Sequence, residues 1–286
     1  MLIGQFFGTS AAEGIPAPFC QCEVCRQARE KKGVYRRRRS CFRLSDKIML
    51  DLGADAVSQC EEYGDITAVD HVLITHTHDD HLNPHMMMEA FWSRKDRDGP
   101  LHYYFTDQAF DMVRHWRENE WILKGKVPEW EHDGVVAFHQ LHYGQRTQVE
   151  DVFVTPFRGN HKGNVGENTA LYLIELPDGR SLFYGLDSGR YLPETIEALR
   201  EHRIDLFISE CTAGASTISY PGTHMGIRDV CDLTNTLYRQ GTLHDDSTVW
   251  LTHINHRTGH DQMLKAAASM PFPVKTVVAF DGLRIL

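Results

Sequence analysis

The chain has 286 residues, of which 42% are hydrophobic and 24% charged, a composition that supports a substantial buried core. No segment reaches the roughly 18 consecutive apolar residues of a membrane span. The amino terminus also lacks the basic start and long apolar stretch of a secretory signal. We therefore expect a globular, cytoplasmic protein with no membrane partner.

The formal net charge of −9 argues against a protein that coats a polynucleotide, because phosphate contacts need a basic face. The one basic run consists of four consecutive arginines at 36–39. We interpret it as a solvated hairpin or turn, with a local docking site for anions as the alternative.

Short segments rich in Val, Ile, Phe and Tyr alternate with helical patterns along the whole chain. Eleven segments are predicted as strands: 2–8, 47–53, 70–76, 101–106, 135–141, 152–157, 169–176, 180–187, 205–210, 247–253 and 276–282. Five are predicted as helices: 84–94, 107–121, 193–202, 225–240 and 259–270. Eleven strands imply two sheets, and the interspersed helices favour an α/β sandwich with helices on its outer faces. No linker or repeat divides residues 1–286, so we predict a single domain.

The most informative segment follows the apolar strand predicted at 70–76. It places His76, His78, Asp80 and His81 in one short loop. Burying such a cluster with nothing bound would be costly, and a divalent cation is the natural compensation. A polar helix start would explain one carboxylate but not three imidazoles.

Three cysteines near the amino terminus, Cys20, Cys22 and Cys25, form a Cys-x-Cys-x-x-Cys motif. In a reducing compartment such a cluster is interpreted as a metal site before it is interpreted as disulfides. Buried free thiols are the alternative.

The His-x-His-x-Asp-His pattern after an apolar strand resembles the signature of the metallo-β-lactamase superfamily. Further motifs of that family follow in order: KIMLDLG with Asp51, RGNHKG with His161, YGLDSG with Asp187 and VWLTHINH with His253. The resemblance implies a four-layer αββα sandwich that holds two divalent ions, zinc or manganese. It implies one ion bound by His76, His78 and His161, and a second bound by Asp80, His81 and His253. Asp187 would bridge the two ions, and Asp51 would support the cluster from behind.

The cysteine motif narrows the resemblance to PhnP-like metallo-β-lactamase proteins. In them a structural zinc is completed by a histidine three residues beyond the last active-site histidine, and His256 stands at that spacing after His253. Three thiolates and one imidazole give the closed tetrahedral shell of a structural zinc. PqqB-like proteins also combine a cysteine knuckle with this fold, which leaves the substrate open.

The resemblance implies a hydrolase of small, including cyclic, phosphodiesters, with Asp80 and His224 as catalytic residues. His224 lies in the loop 217–227 and is our candidate for protonating the leaving oxygen, with a helix-capping or loop-stabilising role as the alternative. A lactone or ester hydrolase is the first rival reading, and a non-catalytic PqqB-like accessory protein is the second. The expected partner is a small anionic substrate, and a homodimer remains open.

The segment around 82–133 looks like a helical insertion relative to a compact member of this family. Its aromatic residues include Phe91, Trp92, Trp116, Trp121 and Trp130. Aromatic residues at helical spacing are typical of a core. A cover over the mouth of the site, stacking on a planar group, is the alternative.

Overall fold

The computed structural model describes residues 1–94, 97–216 and 222–286. These residues contain the strands β1 (Leu2–Gly8), β2 (Cys41–Ser45), β3 (Ile48–Leu50), β4 (His71–Leu73), β5 (Leu101–Thr106), β6 (Val136–Leu141), β7 (Thr147–Val149), β8 (Val152–Lys162), β9 (Asn168–Glu175), β10 (Ser181–Gly185), β11 (Leu206–Glu210), β12 (Thr248–Thr252) and β13 (Lys275–Val278). They also contain the α-helices α1 (Glu23–Lys31), α2 (Ala56–Tyr63), α3 (His85–Ser93), α4 (Phe110–Glu118), α5 (Val127–His132), α6 (Pro193–Leu199), α7 (Ile227–Arg239) and α8 (His260–Ser269). None of these helices is both long and apolar enough to cross a membrane.

The strands form two sheets with the same internal plan. The first has the order β1-β2-β3-β4-β5-β6, and the second has the order β13-β12-β11-β10-β9-β8-β7. Pairing is parallel from β3 to β6 and from β10 to β13, and antiparallel in the rest of each sheet. Each parallel half gathers the carboxyl ends of its strands at one edge, which is where open α/β sheets usually bind ligands.

Three apolar clusters separate the layers. One lies between the sheets and includes Phe42 and Tyr172. A second packs the helices of residues 56–132 on the outer face of the first sheet, and a third packs α6, α7 and α8 on the second sheet. In α7 the apolar residues Ile227, Val230 and Leu237 recur at helical spacing and are buried, which directs that face onto the sheet. The α/β sandwich expected from the sequence is confirmed.

The aromatic residues of 82–133 belong mainly to the outer core. Trp116 and Trp130 are buried in the cluster that covers the first sheet, and Phe91 stacks on Trp130 at 6.0 Å between ring centroids. Trp92 and Trp121 are exposed. Residues 95–96 of this segment lie outside the described residues. Core packing therefore accounts for Trp116 and Trp130 but not for Trp92 and Trp121.

The arginine run is not a solvated turn. Arg37 is 3% exposed and donates to Thr9 Oγ1 at 2.7 Å and to the Ala279 carbonyl at 2.6 Å. Arg38 and Arg39 form ion pairs with acidic residues of α2 and the loop before it. The sequence interpretation was wrong for Arg37, because a run of like charges does not reveal which side chains meet buried acceptors.

Candidate metal centre

Several polar residues lie within two residues of the ends of strands in the two parallel half-sheets. Asp51 follows β3, Asp187 follows β10 and His253 follows β12. The backbone φ angles of these residues are 61°, 45° and 53°, in the left-handed region that non-glycine residues rarely adopt. Such backbone strain persists where the surroundings fix it, and it clusters at functional sites.

The first group of candidate ligands consists of His76, His78 and His161. The Nε2 atoms of His76 and His161 lie 3.0 Å and 3.2 Å from His78 Nδ1. His161 comes from β8 of the second sheet, whereas the other two come from the loop after β4. His76 and His161 are 85 positions apart in the sequence. The fold brings all three side chains together around one point.

The second group consists of Asp80, His81, Asp187 and His253, all of them buried. His81 Nε2 lies 3.0 Å from Asp187 Oδ2 and 3.3 Å from Asp80 Oδ2. His253 Nε2 faces the same Asp80 oxygen at 3.6 Å. Asp187 Oδ2 also lies 3.4 Å from His76 Nε2, so this carboxylate stands between the two groups, as a bridging ligand would.

Asp51 orients the second group from behind. Its Oδ2 accepts a hydrogen bond from His81 Nδ1 at 2.7 Å, and Thr75 donates its backbone N–H and hydroxyl to Oδ1 at 2.8 Å and 2.9 Å. With Nδ1 of His81 engaged, Nε2 is the nitrogen directed at Asp187. A carboxylate behind a histidine ligand in this way fixes its tautomer and raises its basicity.

The buried carboxylates of the cluster favour positive charge beside them. Burial lowers the pKa of His81, but the charges of Asp80 and Asp51 outweigh it and raise that pKa well above its usual value. Burial, followed by the charge of His81, holds the pKa of His76 well below its usual value. The pKa values of two neighbouring imidazoles are thus shifted in opposite directions, in a buried cluster that also contains several carboxylates.

The donor set also fits metal ions. Among the described residues, several buried site atoms have no hydrogen-bond partner: His81 Nε2, His161 Nδ1, Asp187 Oδ1 and His253 Nε2. Buried polar atoms are normally paired, so unpaired ones need an explanation. Histidine and carboxylate donors suit divalent zinc and manganese alike.

His224 joins the cluster through a residue that the sequence interpretation missed, Glu210 at the end of β11. His224 Nδ1 lies 3.3 Å from Glu210 Oε2 and 3.6 Å from Asp187 Oδ1. Burial lowers the pKa of His224, but the hydrogen bond and charge of Glu210 raise it to about 9. Of the loop 217–227, residues 217–221 lie outside the described residues.

Glu210 is itself held by backbone donors. Its Oε1 accepts the N–H groups of Ser188 and Gly189 at 2.7 Å and 2.8 Å, and its Oε2 accepts the Thr212 hydroxyl at 2.5 Å. These bonds tie the segment after Asp187 to the end of β11. Glu210 therefore fixes the distance between a candidate ligand and His224.

Glu167 is a second missed carboxylate and is fully buried. Its Oε1 accepts both the backbone N–H and the hydroxyl of Thr77, at 2.8 Å and 2.6 Å. Thr77 lies between His76 and His78, so Glu167 anchors their loop to the turn between β8 and β9.

Members of both groups line a pocket of about 390 Å³, namely His78, His161, Asp80, Asp187 and His253. Ala11, Ala12 and Glu13 line one side of the pocket, and Asn255, His256 and Arg257 line another. The lining includes Asp80, Asp187 and His224 but no described residue of the aromatic segment 82–133. A pocket of this size suits a small substrate.

The cysteine motif and His256 come together as the spacing suggested. His256 Nδ1 lies 3.6 Å from Cys25 Sγ and 3.8 Å from Cys22 Sγ. Zinc bonds of ordinary length imply about 3.5 Å between sulfur and nitrogen ligands of a tetrahedron. The backbone N–H groups of Ala17 and Cys22 donate to the sulfur atoms of Cys25 and Cys20, both at 3.4 Å. The four side chains fit a closed zinc site.

Known proteins share this architecture. A search of curated protein sequences found no significant match. Among solved structures, a diphosphatase of the PhnP family is 18% identical, with a TM-score of 0.72 over 99% of this chain and 96% of its own. Zn²⁺-bound PqqB from Methylobacterium extorquens is 16% identical, with a TM-score of 0.73 over 100% of both chains. The short form of human tRNase Z is 15% identical, with a TM-score of 0.64 over 100% of this chain and 99% of its own.

These identities show a common fold alone, whereas a family model shows the relationship. The family described as "Beta-lactamase superfamily domain" matches residues 47–254, which is more than half of the chain. The match spans the segments that carry both groups of candidate ligands. The chain therefore belongs to the metallo-β-lactamase superfamily.

Proposed function

We propose that the protein is a dinuclear metal-dependent hydrolase that cleaves small phosphodiesters, cyclic ones among them. The observation that carries the proposal is the position of His224. It lines the same small pocket as Asp80 and Asp187, and its Nδ1 faces the buried carboxylate of Glu210 at 3.3 Å. His224 is thus a proton donor in the pocket beside the candidate metal ligands, where a leaving alkoxide needs one.

In this proposal the two groups described above hold one ion each, with Asp187 shared between them. When bound, the ions would supply a water of lowered pKa and positive charge for the phosphoryl oxygens. The net charge of −9 need not repel an anionic substrate, because the field in the pocket is dominated by the ions.

The protein's own groups have distinct roles. The Asp80 carboxylate lines the pocket and can accept a hydrogen bond from the attacking water. His224 has its Nδ1 turned to Glu210 and Asp187, so Nε2 is the nitrogen left to donate to the leaving oxygen. Glu210 acts as a positioning residue that holds the imidazole in this orientation.

The fold likeness to a diphosphatase of the PhnP family supports a phosphoryl centre over a carbonyl centre. Because the fold also resembles that of PqqB, the test includes a non-catalytic accessory role as an alternative. A lactone hydrolase on the same site is the remaining rival.

The test compares His224→Ala with the wild type on two classes of phosphodiester. We expect hydrolysis of substrates with alkoxide leaving groups, including cyclic nucleotides, to slow by about 100-fold or more, the usual contribution of a general acid. Activated aryl phosphodiesters should slow much less, and metal content should not change. His142→Ala is the matched control, because His142 is exposed and pairs with Asp107 away from the pocket.

Equal slowing of both substrate classes would remove His224 from proton transfer. Turnover of lactones without turnover of any phosphodiester would replace the proposal with its first rival. A metal-loaded protein that hydrolyses neither would favour the accessory role.

A further inference from the structure

Glu13 contacts the histidine of the cysteine knuckle from the side of the pocket. It lies in the loop between β1 and α1, and its Oε1 accepts the backbone N–H of His256 at 3.2 Å. The same oxygen lies 3.7 Å from Nε2 of the His256 ring. Glu13, His256 and Arg257 also line the pocket. One carboxylate thus faces both the knuckle and the pocket.

The position of this carboxylate matters because a neutral imidazole carries one proton on one of its two nitrogens. His256 directs Nδ1 at the sulfur atoms of Cys25 and Cys22, so Nδ1 must be free of its proton to bind zinc. The proton then resides on Nε2. Glu13 places its carboxylate oxygen beside that nitrogen.

The backbone holds Glu13 in this place. Arg39 Nε donates to the Ala12 carbonyl at 2.7 Å, and Gly14 N donates to the Ala11 carbonyl at 3.1 Å. These contacts flank Glu13 on both sides. The backbone at Glu13 is therefore fixed by its own loop, and the His256 N–H holds the carboxylate.

We propose that Glu13 is a positioning residue for the structural zinc. It holds His256 in the tautomer that presents Nδ1 to the metal, and it joins the knuckle to the wall of the pocket. The proposal rests on the knuckle binding zinc but not on the reaction in the pocket. Outer carboxylates of this kind typically change metal affinity by about 10- to 100-fold.

The test measures zinc affinity of the knuckle in the full-length protein. Glu13→Leu removes the acceptor at similar size, and Glu13→Gln keeps an amide oxygen that can still accept from His256. Glu30→Leu is the control, because it makes the same change at an exposed position of α1. Competition of added Zn²⁺ with a chelator gives the affinity. The thiolate charge-transfer band of the Co²⁺-substituted protein identifies the sulfur-bound ion separately from ions in the pocket.

We expect Glu13→Leu to weaken sulfur-bound zinc by about 10- to 100-fold, with Glu13→Gln between it and the wild type. Nitrogen-15 spectra of zinc-loaded wild type should show the His256 proton on Nε2. Equal affinities of Glu13→Leu and Glu30→Leu would overturn the proposal, as would a proton on Nδ1 or a wild type without sulfur-bound zinc. Hydrolytic activity enters none of these readouts, so failure of the proposed reaction would leave this test intact.

Discussion

Replacing Gly189 with alanine should displace His224 without touching a metal ligand. Gly189 has a φ of 62°, and an added Cβ would lie 2.8 Å from the backbone nitrogen of Thr223. The Gly189 N–H donates to Glu210, and alanine would keep that donor. The substitution therefore acts by steric contact, because the added Cβ would push the loop of Thr223 away from Gly189.

The size of the effect follows from two terms. A left-handed backbone costs an alanine about 1 kcal/mol relative to glycine. Ordinary van der Waals contact begins near 3.4 Å, so Thr223 and the adjoining His224 must move by about 0.6 Å. Because a misplacement of about 1 Å can cost 100-fold in rate, we expect roughly a tenfold loss. The loss should be larger for alkoxide leaving groups than for activated aryl groups.

The assay is kcat on both substrate classes, with metal content and thermal stability measured in parallel. Gly179→Ala is the matched control, because Gly179 has a φ of 89° and nothing within 4 Å of an added Cβ. Both variants bear the backbone strain, but only Gly189→Ala shifts the loop. Equal kcat values in the two variants would refute the steric reasoning, and loss of bound metal in Gly189→Ala would move the cause from His224 to the ligands.

Two further outcomes follow from the structure. Asp187→Ala should lower metal content and abolish most activity in a folded protein, because Asp187 faces both ligand groups; an undiminished metal complement by elemental analysis would exclude this role. In the first sheet, His102 Nδ1 lies 2.8 Å from His139 Nε2. Burial, followed by the charge of His102, lowers the pKa of His139. The unfolded chain then binds protons more readily, so urea unfolding should show stability falling as pH drops from about 7 to 5.5. That slope should be shallower in His139→Gln, and an equal slope would contradict the assignment.

The sequence predicted the ligands that share a loop better than the residues that support them. His76, His78 and His81 are recognisable because three imidazoles after an apolar strand have no structural explanation. Glu210 also ends an apolar strand, as Asp187 does, and the same rule applied to 205–210 would have found it. Glu167 carries no such signal, because its partner Thr77 is 90 positions away and only the folded chain joins them.

The strands and helices were also predicted only where the local sequence carries a signal. All eleven predicted strands are present, but β2, β7 and the helices α1, α2 and α5 were not predicted. In α1 the first turn begins beside the knuckle, and only Cys25 and Ala28 are buried. Its sequence therefore has little apolar periodicity from which to predict a helix. The strand β2 directly follows the arginine run. Its buried residues Phe42 and Leu44 were not recognised as a strand because they adjoin this charged segment.

The strain in the backbone shows where the fold was shaped by chemistry as well as by stability. Seven non-glycine residues among those described have a positive φ, and three of them are Asp51, Asp187 and His253. These three end strands of both sheets, where the pockets of open sheets lie. A left-handed residue at a strand end turns its side chain out of the sheet direction and towards the edge. The sandwich thus accepts local strain at three strand ends, and in return the side chains of two sheets converge on one pocket.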